Sequence, residues 1–102
     1  MTRTMYRYRF ERDVPFEDVE TSLLLALWAA ESLYGETQVR LETAFAVDRR
    51  RRICVIDAGS PVGSDLNRLF AGFIHREFRG DDCRIERFNL EAGLTINAEV
   101  AA

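Results

Sequence analysis

A chain of 102 residues, 47% hydrophobic and 30% charged, has the size and balance of one globular domain rather than a disordered or multidomain protein. Its net charge of −3 and pI near 5.2 exclude the basic excess of a dedicated nucleic-acid binder. All 14 basic residues are arginine, which excludes lysine as Schiff-base former, nucleophile or general base.

Met5 to Phe10 alternates, with Tyr6, Tyr8 and Phe10 on one side and Arg7 and Arg9 on the other, so it predicts a strand. Pro15 stands at the tolerated first-turn position of a helix, and Glu17 and Asp18 complement its N-terminal dipole. Phe16, Val19, Leu23, Leu27 and Ala30 repeat at helical spacing, and Tyr34-Gly35 supplies the stop. Val39, Leu41, Thr43, Phe45 and Val47 alternate with Arg40, Glu42, Ala44 and Ala46, and read as a second strand. The run Asp48-Arg-Arg-Arg-Arg52 becomes a hairpin tip before Ile53 to Asp57, whose β-branched content suits a central strand.

Ala58-Gly-Ser-Pro-Val-Gly-Ser64 breaks the pattern, and a second helix opens near Pro61 with Ser60 or Ser64 as its cap. Leu66, Leu69, Phe70, Phe73, Ile74 and Phe78 form its apolar face, Gly80-Asp-Asp82 ends it, and Cys83 to Phe88 reads as a fourth strand. After the turn-like Glu91-Ala-Gly93, residues Leu94, Ile96, Ala98 and Val100 alternate again. That tail suits a fifth strand on the fourth, a strand given to a neighbouring subunit, or a frayed end.

The order βαββαβ gives an α+β fold resembling the ferredoxin-like sandwich, over residues 1–90, with 91–102 as a C-terminal extension. That resemblance implies a four-stranded antiparallel sheet of order 4-1-3-2 with both helices on one face. The same order and the basic tip at 49–52 are shared with the RNA-recognition motif. The third strand, Arg52-Ile-Cys-Val-Ile-Asp57, lacks the aromatics on which that family stacks bases.

Arg7, Arg9, Arg40 and Arg84 are the candidate anion or ligand contacts, placed with Glu42 and Glu86 on the sheet face away from the helices. Gly59 to Ser64 is a second anion candidate, but lacks the Gly-Lys-Ser/Thr ending of a nucleotide-binding loop. His75 has no fixed cysteine or carboxylate partner, and Cys54 and Cys83 make neither a metal site nor a disulfide framework. No catalytic residue, metal or cofactor is therefore expected.

Leu25 and Trp28 lie off the apolar stripe of the first helix and, with Leu94 and Ile96 of the tail, are the candidate partner contacts. The function expected is a small, homodimeric interaction module acting by protein–protein binding. The alternative is a small-molecule or anion binder, or a cofactor-free enzyme, using the open sheet face. Residues 1–9 lack the apolar core of a signal peptide and Leu23–Ala30 is too short to span a bilayer, so a cytoplasmic setting is expected.

Overall fold

The computed structural model describes residues 2–91, 94–96 and 100. Its elements are β1 (Thr2–Phe10), α1 (Phe16–Tyr34), α2 (Glu36–Glu42), β2 (Phe45–Asp48), β3 (Ile53–Asp57), α3 (Pro61–Glu77) and β4 (Cys83–Glu91). The fold is α+β. The four strands form one antiparallel sheet of order β2-β3-β1-β4, which read from the other edge is β4-β1-β3-β2.

β1 occupies an inner position because it can satisfy both of its edges: Tyr8 lies opposite Cys54 of β3 and Ile85 of β4. Strand period two sends Tyr6, Tyr8 and Phe10 to one face and Met5, Arg7 and Arg9 to the other. On the first face Tyr8, Phe10, Cys54 and Ile56 pack under α1 and α3, meeting Phe16, Val19, Leu23, Leu66, Phe70 and Ile74. Tyr8 is fully buried; its hydroxyl donates to Asn67 Oδ1 at 2.6 Å and its ring meets Phe70 edge-on at 4.7 Å. A buried phenol needs such an acceptor, and the buried Asn67 supplies it.

α1 begins after Pro15 and stops at Gly35, whose φ of 84° favours glycine and whose N–H donates to Glu31 O. The strand expected over Val39–Val47 is corrected in its first half: Glu36-Thr-Gln-Val-Arg-Leu-Glu42 is helical, and only Phe45–Asp48 joins the sheet. Strand alternation would bury Val39 and Leu41 together, yet Val39 is 2% exposed and Leu41 79%. Glu36 and Arg40, four apart, pair at 2.6 Å along the helix, and most of the segment is built of good helix formers. Arg40 and Glu42 consequently leave the sheet face to which they were assigned.

α3 starts as its sequence indicates. Ser60 Oγ accepts from Gly63 N at 2.9 Å and donates to Glu42 O at 2.6 Å, tying α3 to α2. The hairpin tip is also as read: Asp48 Oδ1 accepts from Arg51 N, and Arg52 turns the chain with a φ of 62°. Arg52 donates to Glu11 O at 3.1 Å and to Val14 O, with its guanidinium over the Phe16 ring, while Arg49 pairs with Glu20 at 2.8 Å. Two of the four tip arginines thus clamp the tip to the chain around α1.

β4 runs to Glu91, beyond the expected Cys83–Phe88, because Leu90 and Phe88 meet an apolar cluster on the sheet's second face. Met5, Ala46, Ile53, Val55, Leu90 and Val100 form that cluster, with Ile96 packed against it. In the tail, Ile96 and Val100 carry helical backbone. Ala92, Gly93 and residues 97–99 lie outside the described residues, as do parts of the expected turn and alternation.

Two outcomes follow from the core. A Cβ at Gly63 would stand 2.4 Å from Asp57 O, so Gly63→Ala is expected to destabilise by about 1–3 kcal/mol in urea unfolding. Gly72→Ala on the same helix meets nothing within 4 Å and is expected to stabilise by about 0.5–1 kcal/mol. Burial raises the Tyr8 phenol above its usual range and pushes the Cys54 thiol up to about 12. The fold therefore holds both groups neutral, and the unfolded chain ionises first. Their stabilising contribution is intact below about pH 8 and is lost as pH rises toward about 12, so urea midpoints should fall on the alkaline side.

Candidate functional site

Register brings three of the four candidate arginines together. Arg7 stands opposite Glu86 and Arg9 opposite Arg84 across β1 and β4. Glu86 lies between the first two, accepting from Arg9 Nε at 2.8 Å and standing 3.8 Å from an Arg7 terminal nitrogen. The Arg7 guanidinium also lies 4.5 Å from the centre of the Phe88 ring, with its side chain only 13% exposed. Arg84 borders a depression of about 190 Å³ with Arg9, Phe10 and Glu11. Two carboxylates therefore dilute the positive field at this end of the sheet face. Arg40, on α2, belongs to another surface.

The loop before α3 spends three of its backbone donors on its own acceptors. Gly59 N donates to Asp57 Oδ1 at 2.8 Å, Gly63 N to Ser60 Oγ, and Ser64 N to Ser60 O. Asp57 also pairs with Arg3 at 3.2 Å. The neighbouring depression of about 320 Å³ is lined by Arg3, Glu42 and Asp57 among others, so it presents more carboxylate than cation.

The thiols are poorly suited to attack at neutral pH. Cys54 is fully buried, and Cys83 is pushed up to about 11 by its burial and then by Asp82. His75 is exposed on α3, beside a depression of about 200 Å³ that it shares with Phe78, Cys83 and Ile85. Among the described residues no three His, Cys, Asp or Glu side chains gather as metal ligands. Among the described residues no helix is long and apolar enough to cross a membrane.

The most distinctive surface is apolar. On α1, Leu24, Leu25 and Trp28 are 44%, 43% and 56% exposed, whereas Val19, Leu23, Ala26 and Ala30 on its other side are buried. Leu27 turns from this flank toward β2, where it lines a groove of about 400 Å³ with Val39, Thr43, Ala44 and Phe45, rimmed by Glu31 and Arg40. At the other end of the strand the Arg49–Glu20 pair joins the hairpin tip to α1. Between those two contacts Phe45 and Val47 remain 39% and 37% exposed. The flank of α1 and the edge strand thus make one surface.

Leu25 and Trp28 are therefore where the helical pattern puts them. Leu94 is half exposed, but Ile96 is packed on the sheet's second face and is not free for a partner. Phe45 and Val47, assigned by alternation to the core side, do face the helices. β2 lies at the rim of the sheet, where α1 covers them only in part. Strand alternation reports which face a residue takes; edge position requires the pairing order. Compared with models of protein families and with curated protein sequences, the chain matches none.

Proposed function

We propose that this chain works by binding, as a homodimeric assembly module whose contact surface is the apolar flank of α1 with strand β2. The observation that carries this is Trp28, a large aromatic more than half exposed in the middle of Leu24, Leu25 and Leu27. Exposed aromatics ringed by aliphatic side chains are the usual anchors of protein–protein contacts. The groove rim carries both signs, Glu31 and Arg40, as a surface meeting its own copy needs.

The architecture is taken as a ferredoxin-like βαββαβ sandwich in which α2 precedes the second strand. The antiparallel order β4-β1-β3-β2 and the packing of α1 and α3 on one sheet face support that assignment. A cytoplasmic, reducing setting is supported by two free thiols that burial keeps protonated. Anion binding at Arg7, Arg9 and Arg84 is the second reading, supported by their closeness across β1 and β4 and by the depression that Arg9 and Arg84 line. Glu86 already neutralises part of that cluster, which favours the apolar surface.

Light scattering coupled to size exclusion should report two chains per particle, and a monomer at several hundred micromolar would reject the proposal. Trp28→Ala is expected to raise the dimer dissociation constant by roughly tenfold or more, as truncation of a buried anchor does. Trp28 is the sole tryptophan, so its emission should shift to the blue as concentration rises through the dimerisation range.

A further inference from the structure

We propose that two copies join through β2 itself, antiparallel about a twofold axis at Ala46, so that the two four-stranded sheets become one of eight strands. This rests on the homodimer proposed above and specifies how the copies meet. In an antiparallel ladder, hydrogen-bonded and non-hydrogen-bonded residue pairs alternate. Asp57 N donates to Ala44 O at 2.9 Å, so Ala44, Ala46 and Asp48 direct their backbone groups inward to β3. Phe45 and Val47 direct theirs outward, at the rim of the sheet.

Those outward groups match a second copy in one register. With Ala46 facing Ala46, Phe45 of each copy stands opposite Val47 of the other, and both N–H and both C=O groups of each such pair are satisfied. Moving the axis to Phe45 would bring Thr43 into pairing, whose N–H is held by Val39 O at 3.1 Å. Moving it to Val47 would bring in Arg49, which belongs to the turn. The Ala46 register also sets aromatic against β-branched side chain on the helix-covered face, a favourable cross-strand pair. The methyl groups at the axis leave room for the close approach of a non-hydrogen-bonded pair.

The area agrees with a dimer contact. From their exposed fractions, Leu24, Leu25, Trp28, Phe45 and Val47 offer roughly 500 Å² per copy. A standard interface takes about 800 Å² from each partner, a little over half of it apolar. The strand contact supplies the polar remainder, and α1 of each copy comes to lie along the seam.

Two variants test the register. Ala46→Cys, made with Cys83→Ser, should give a disulfide-linked dimer on mild oxidation, because only this register sets the two Cβ atoms within bonding reach. Val47→Pro removes an outward N–H and no ladder bond inside the subunit, so circular dichroism should show a folded chain while the dissociation constant rises at least tenfold. A dimer by light scattering that neither cross-links at position 46 nor weakens with Val47→Pro would overturn β2 pairing and leave the homodimer standing. A chain that stays monomeric would overturn both.

Discussion

The structure hangs on β1 and on the different demands of its two faces. As an inner strand it must satisfy N–H and C=O groups on both edges, and β3 and β4 are held in place by doing so. Its first face carries Tyr8, which is fully buried and so needs both a hydrogen-bond acceptor and aromatic packing. Asn67 and Phe70 meet those needs from one helix, fixing where α3 lies and how it is rotated. α1 is then set beside α3 over the same face.

The second face is divided along its length. Met5 and its neighbours Val55 and Leu90 make an apolar half that receives Val100, while Arg7, Arg9, Arg84 and Glu86 make a charged half. Phe88 joins the two, since the Arg7 guanidinium rests on its ring. A fold of this kind with one bare face would offer a broad platform for a ligand. Here, the apolar half is spent on Ile96 and Val100 and the charged half is partly spent on its own ion pairs.

The apolar surface left over lies at the α1–β2 rim. An edge strand with outward backbone groups is a hazard unless it is charged, bent away or covered. β2 is short, yet Phe45 and Val47 stay partly exposed on it, as do Leu24 and Trp28 on the flank of α1. Covering by a second copy, as proposed above, would resolve both the exposed backbone and the exposed side chains at once. The proposed homodimer rests on that rim because both thiols are held protonated and Arg7 and Arg9 are already engaged by Glu86.

The sequence by itself determined the elements whose signals are local. Pro15 and Gly35 bound α1, Ser60 caps α3, period two sorts Tyr8 from Arg7, and Asp48 to Arg52 turns the hairpin, since each depends on neighbours a few residues away. The exposure of Leu25 and Trp28 was legible too, because helical spacing alone separates them from Leu23 and Ala26. Tertiary structure alone decided the rest. Val39 and Leu41 have a spacing that fits more than one backbone, and only burial against α1 selected helix there, while packing on the sheet places Ile96 and Val100. Whether Phe45 and Val47 end inside the core or at its rim depends on which strand lies last in the sheet. No local pattern carries that order, because it arises from β1 pairing with residues about fifty and eighty positions away.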